Sequence, residues 1–221
     1  MTPTADLDEV ESRLCMPLVQ AMQTQRAVRR LTTEPVDDAV LLRLIELAQK
    51  APSGGNRQPQ RYIVVRDRAV KEQLAALNRR SWSWLRRAYG PFVKTEAQRR
   101  LLAAVDWQAE HFADAPAIVV ACVKVRVRSW PPVLAGTVDG SIYPSVQNLL
   151  LAARAVGLGA ALTTLPLRPA RRARAILGLP RRVQPVCAIP LGWPRGRYGP
   201  TTRRPISEVV HVDRYGNRPY R

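Results

Sequence analysis

The chain has 221 residues, is 46% hydrophobic and carries a formal charge of +18. That length supports one domain with its own core, and that apolar share argues against a largely disordered chain. No apolar run reaches the roughly 20 residues that a membrane-spanning helix needs, so no membrane span is expected.

The charge is the most unusual global property. Such a field raises affinity for anions, from nucleic acid to phosphorylated cofactors. The arginine pairs are scattered, however, at 79–80, 86–87, 99–100, 171–172, 181–182 and 203–204. No nucleic-acid fold motif accompanies them. The reading is solvated surface, with no specific nucleic-acid partner. The three cysteines, Cys15, Cys122 and Cys187, are widely spaced and lack metal-ligand spacing, so no metal site is expected. Cys122 and Cys187 lie in apolar, strand-like runs and read as buried thiols. The N-terminus is polar and partly acidic, unlike a signal peptide, and a reducing cytoplasm is the expected compartment.

Residues 1–16 read as a mobile or docking arm, and 17–221 as a single domain. Pro17 to Thr24 reads as a helix that leads into Gln25-Arg26-Ala27-Val28-Arg29-Arg30. If helical, Arg26 and Arg29 share one face. Two guanidiniums so placed suit a phosphate, through paired, charge-assisted hydrogen bonds; a solvated basic helix end is the other reading. Pro35-Val36-Asp37-Asp38 opens a helix with its aspartates at the positive end. Val40, Leu41, Leu44, Ile45, Leu47 and Ala48 form its apolar face.

The chain then enters Ala51-Pro52-Ser53-Gly54-Gly55-Asn56-Arg57-Gln58-Pro59. The glycines allow close approach to the main chain, and loops held between packed elements often bind ligands. An ordinary helix-to-strand turn is the other reading. Tyr62 to Val65 follows as a strand. Residues 78–110 contain Trp82, Trp84, Tyr89, Phe92 and Trp107 among arginines and helix formers. Ala115 to Val123 returns as a buried strand. His111 and His211 have no nucleophile or metal partner in sequence and read as structural.

The order of these motifs is specific. An R-x-x-R turn, a Thr-Glu-Pro-Val connection, an amphipathic helix, A-P-S-G-G-N-x-Q-P and a strand together resemble the nitroreductase-like family of FMN-dependent oxidoreductases. The resemblance continues in three later segments: the Ser145–Gly159 helix with Thr163-Thr164-Leu165-Pro166-Leu167, the Val186–Pro190 strand with Leu191-Gly192-Trp193-Pro194, and Thr201–Ile206.

The resemblance implies an α+β fold with a central mixed, mostly antiparallel sheet flanked by helices, in an intertwined homodimer with FMN at the subunit interface. The apolar run Leu149–Leu167 is expected to serve that dimer core, and the tail from Val209 to wrap the partner in extended form. By resemblance, Arg26, Ala27, Val28, Arg29 and Arg203 lie at the FMN phosphate and ribityl chain; Ala27 replaces the family's usual serine. Pro52, Ser53, Gly54 and Asn56 match the loop that crosses from the other subunit. Thr163, Thr164 and Leu165 match the segment beside flavin N5, where the Leu165 backbone N–H tunes a cofactor that carries the chemistry itself. The iodotyrosine deiodinase branch has a threonine where this chain has Leu165, which points here to two-electron hydride transfer.

Residues 78–110 match a lid over the flavin, with Trp82, Trp84, Tyr89 and Phe92 as substrate-stacking candidates or as core or interface residues. The implied activity is ping-pong reduction of nitroaromatic, quinone or activated enone acceptors with NADPH or NADH. The alternatives are a reductive dehalogenase or tailoring dehydrogenase on the same fold, or a flavin-sequestering protein.

Overall fold

Strand β2, Ala117–Lys124, runs through the centre of the molecule. Its residues 117–123 are all buried, which is why the sequence there is continuously apolar rather than alternating. Ala117, Val119, Ala121 and Val123 enter one core cluster; Ile118, Val120 and Cys122 enter the other. That division follows the two-residue period of a strand. The computed structural model that gives this arrangement describes residues 7–124 and 135–220, with side chains over 10–124 and 139–220.

β1 (Gln60–Val65) pairs antiparallel with β2, Tyr62 opposite Ala121. β4 (Val183–Gly192) pairs antiparallel on the other side, Val119 opposite Ile189, with a bulge between Ala121 and Cys122. The short β3 (Gly159–Ala160) lies against β4, giving the order β1-β2-β4-β3. Among the described residues, one parallel bridge, Ala27 to Ala160, adds the mixed element.

Helices cover both faces. On one lie α3 (Asp38–Gln49) and α6 (Ala135–Ala155), which supply Leu41, Leu44, Ile142 and Leu149 to the first cluster. Asp37 caps α3 by accepting from the Ala39 N–H at 2.7 Å, as the aspartate pair predicts. α6 begins before the helix read from sequence, because Gly136, Gly140 and Pro144 hide its first turns. The other face is covered by α4 (Arg68–Tyr89) and α7 (Ala170–Ile176), with Leu74, Leu77 and Ala173 in the second cluster. The α+β expectation is borne out.

Residues 7–16, read as a mobile or docking arm, are docked on the chain's own core. α1 (Leu7–Arg13) buries Val10 in the first cluster, and Glu11 pairs with Arg43 of α3. Residues 1–6 and Arg221 lie outside the described residues. Two expectations change. The apolar run Leu149–Leu167 is consumed largely by the chain's own core: Leu149, Leu150, Ala153, Val156, Leu158 and Ala160 are all buried there. The tail is not extended. After α8 (Ile206–Val209) it turns, with Asp213 and Gly216 at positive φ and the Val212 N–H donating to Asn217 O at 2.9 Å. Asp and Gly tolerate that conformation, so they favour a turn there.

The 78–110 stretch starts inside α4 and forms a helical hairpin with α5 (Glu96–Glu110). Thr95 and Gln98 cap α5 reciprocally. Among the described residues, no helix is long and apolar enough to cross a membrane.

Candidate functional site

α2 (Leu18–Thr24) ends before the arginine turn. Residues 25–31 are not helical, so Arg26 and Arg29 do not share a helix face. Instead the segment lies along the open edge of β3. The Val28 N–H donates to Ala160 O at 2.9 Å, and Leu31 bridges to Pro194. Gly159 permits this approach: a Cβ there would stand 2.8 Å from both Val28 Cγ1 and Leu31 Cδ2. Gly159, the last residue of the helix read from sequence, is therefore a seat for the arginine turn.

Two other predicted segments come to the same edge. Thr163 follows Ala160 and exchanges both backbone hydrogen bonds with Ala188, at 2.9 and 2.8 Å. It leads into a 3-10 turn at Leu165–Leu167, with Pro166 and Leu167 buried. The Leu165 N–H points at Thr163 Oγ1 at 3.4 Å. That is a long bond, which leaves the donor open to a nearer acceptor. The C-terminal basic element is tied in at Thr201, whose N–H and hydroxyl both donate to Gln23 O, at 2.9 and 3.1 Å. Arg203 thus stands two residues from a contact with the last turn of α2, and it does not line the cavity beside the arginine turn.

The loop Pro52–Asn56 is elsewhere. The Gly54 N–H donates to Ser141 Oγ at 3.2 Å, near the start of α6. Ser53 Oγ accepts the Gln58 N–H at 3.0 Å, and Gly55 and Asn56 both have positive φ. The arginine turn is anchored at the other end of α6, where Arg154 Nε donates to Thr24 Oγ1 at 2.8 Å. At 1.5 Å of rise per residue the two anchors are about 20 Å apart.

A cavity of about 380 Å³ opens beside the arginine turn, walled by α5 and by the segment after β4. Arg26, Arg29, Arg30, Arg195 and Arg197 line it, with Trp107 and Tyr198; no carboxylate does. Among the described residues, none of these five arginines has an ion-pair partner. Burial, and then the charge of Arg26, hold the Arg29 guanidinium below its ordinary value. A half-buried cation beside another cation, with no acid to compensate, suits a bound anion. The residues present therefore fit a phosphate group.

Arg195, Arg197, Trp107 and Tyr198 were not singled out for this site by sequence reasoning. The signal was the Arg-Gly-Arg after Pro194. Arg195 is fixed by its Nε bond to Leu31 O at 3.0 Å and by packing over Trp107. Tyr198 is fixed by its hydroxyl bond to Leu158 O and by Arg154 over its ring.

The hairpin candidates divide. Trp82 is committed internally, its indole N–H donating to Asp106 Oδ1 at 2.7 Å, and Arg86 pairs with the same carboxylate. Trp84 and Phe92 are 69% and 71% exposed, and Tyr89 is also exposed. His111 stacks on Trp107 at 4.1 Å, a structural contact.

Residues 22–193 match the sequence model of the Nitroreductase family. The chain belongs to the nitroreductase family. It is similar to the oxygen-insensitive NADPH nitroreductase of Salmonella typhimurium, 27% identical over 199 residues, covering 90% of this chain and 75% of that one. It is also similar to the iodotyrosine deiodinase of Nematostella vectensis, 24% identical over 204 residues, 86% and 73% of the two chains. Among solved structures, a Desulfovibrio desulfuricans protein described as a nitroreductase in complex with FMN is 28% identical, with a TM-score of 0.66, covering 88% and 95%. This nitroreductase-family chain has the nitroreductase-like fold.

Proposed function

We propose that the protein is an FMN-dependent oxidoreductase that takes electrons from NADPH or NADH and reduces nitroaromatic, quinone or activated enone acceptors. The observation that carries this reading is the cavity beside the β3 edge that Arg26 and Arg29 line with three further arginines and no carboxylate, in a chain of this family.

Arg26 and Arg29 hold the phosphate, with Arg203 reaching it from the C-terminal side. The Ala27 and Val28 backbone runs beside the ribityl chain. FMN, when bound, supplies two-electron hydride acceptance and donation. Leu165 presents a backbone donor to the ring and, unlike a threonine, no hydroxyl. The loop Pro52, Ser53, Gly54 and Asn56 is anchored at the other end of α6 from the arginine turn, and it serves the site of a second copy. Exposed Leu18 and Val19, at 62% and 65%, and Met22 at 56% give α2 an apolar face for that partner. The α4/α5 hairpin, with exposed Trp84, Tyr89 and Phe92, excludes water and stacks the acceptor. A reducing cytoplasm suits the buried free thiols Cys122 and Cys187.

The test is turnover under anaerobic conditions. Bleaching of bound flavin by NADPH or NADH, and recovery on adding a nitroaromatic or quinone, is expected. Flavin that neither donor bleaches would move the protein to sequestration. Similarity to the deiodinase favours a second reading, reductive dehalogenation, which Leu165 opposes; release of iodide from an iodophenol would favour it.

A further inference from the structure

The cavity beside the arginine turn carries more positive charge than one flavin phosphate can balance. A phosphate monoester contributes about −1.5 to −2 at neutral pH, whereas five guanidiniums line the cavity and no carboxylate does. About three positive charges remain once the flavin phosphate is in place. Arg29 is half-buried and the other four are exposed, so the surplus is a positive field along the cavity, which raises affinity for a second anion.

We propose that the Arg195–Arg197 side of this cavity is a second anion subsite, which takes the 2′-phosphate of a phosphorylated nicotinamide dinucleotide. The proposal rests on the flavin reading, which assigns Arg26 and Arg29 to the first phosphate.

The two sides differ in construction. Arg26 and Arg29 come from the turn that lies on β3. Arg195 and Arg197 come from the segment after β4, which is hydrogen-bonded to the end of that turn at Arg30 and Leu31 and lines the same cavity. Arg195 is preorganised. Its backbone N–H donates to Arg30 O at 3.0 Å, its Nε to Leu31 O at 3.0 Å, and its guanidinium packs over Trp107 at 5.3 Å. Its terminal nitrogens remain as donors in a fixed fork, which suits a tetrahedral anion. Arg197 is exposed and has no ion-pair partner among the described residues. The cavity, at about 380 Å³, is of the size that holds a small organic ligand rather than an ion alone. The rings of Trp107 and Tyr198 are already covered by Arg195 and Arg154, so recognition falls to the guanidiniums. An unphosphorylated dinucleotide has no group for this subsite.

The experiment is calorimetric titration of the FMN-loaded protein with adenosine 2′,5′-bisphosphate, 5′-AMP and inorganic phosphate, at constant ionic strength. It is preceded by FMN titrations of the parent and of Arg197→Gln and Arg30→Gln. The bisphosphate is expected to bind at least about tenfold more tightly than 5′-AMP, the loss of one charge-assisted contact. Arg197→Gln is expected to weaken the bisphosphate by about tenfold or more while leaving FMN affinity within about twofold. Arg30→Gln is expected to act in the same direction.

Three results would overturn the proposal. The bisphosphate binds no better than 5′-AMP or inorganic phosphate; it is displaced by FMN; or Arg197→Gln weakens FMN as much as the bisphosphate, which would place Arg197 on the flavin phosphate. Failure of the parent protein to bind FMN in the first titration overturns the flavin reading itself, and is seen before the bisphosphate is added.

Discussion

Ser141 and Arg154 stand on the same helix, about 20 Å apart at 1.5 Å per residue, and each anchors a different half of the candidate site. Ser141 Oγ accepts the Gly54 N–H of the Pro52–Asn56 loop. Arg154 donates to Thr24, next to the arginine turn. A rigid helix between them keeps the halves apart within one chain. On the reading proposed above, a complete site needs two copies, each lending its loop to the other.

The proposed arrangement predicts that flavin binding depends on association. Val19 and Met22 are exposed on α2, next to a groove of about 360 Å³ lined by Leu14, Met16, Leu47 and Leu151. A Val19→Asp, Met22→Asp protein buries two charges in the proposed interface. It is expected to run as a monomer in light scattering and to lose FMN, although Arg26 and Arg29 are untouched. A monomer that still binds FMN as tightly as the parent would rule out the shared site.

Arg29 is expected to act in opposite directions with and without ligand. Its guanidinium is held low by burial and by Arg26, so without an anion it is an uncompensated half-buried charge. Arg29→Met is expected to melt at the same temperature as the parent, or higher, when FMN is absent. With saturating FMN the parent should gain by mass action and the variant should gain less. Paired thermal melts check this.

Gly159 sets the approach of the arginine turn. Gly159→Ala places a methyl 2.8 Å from Val28 and Leu31 side-chain atoms. Overpacking of this kind costs about 1–3 kcal/mol. The denaturation midpoint is expected to fall accordingly, and FMN affinity with it, because the turn must move off β3.

The core thiols give a pH dependence. Burial pushes Cys122 up to about 11 and Cys187 up to about 12, from an ordinary value of 9.0. Unfolding returns both to the ordinary value, so the folded state keeps protons that the unfolded chain loses. This contribution is complete below about pH 9 and is lost as pH rises through 11 and 12. Urea midpoints of a Cys122→Ala, Cys187→Ala protein are expected to fall less steeply between pH 9 and 11 than those of the parent. Both thiols should resist a thiol reagent at pH 8 until the chain unfolds.

Much of this was legible in the sequence. The apolar run around Cys122 announced a central strand, and the order of motifs gave the family. What escaped depends on contacts between distant segments. Arg195 and Arg197 join Arg26 and Arg29 only because β3 and the end of β4 meet, which no local pattern reveals. The run Leu149–Leu167 looked like dimer surface, yet α6 lies between α3 and the sheet and buries it. The exposed apolar face proposed for a partner is on the short α2, whose seven residues carry too weak a period to stand out. Trp82 looked like a stacking ring until Asp106 appeared opposite it.

The central claim is that the arginine turn holds a flavin phosphate, and an FMN titration of the flavin-free protein tests it most directly. The account expects saturable binding of one FMN per chain, read by quenching of flavin fluorescence, and affinity lower by about tenfold or more in Arg29→Gln, as loss of a charge-assisted contact requires. No binding, or binding that Arg29→Gln leaves unchanged, would contradict it.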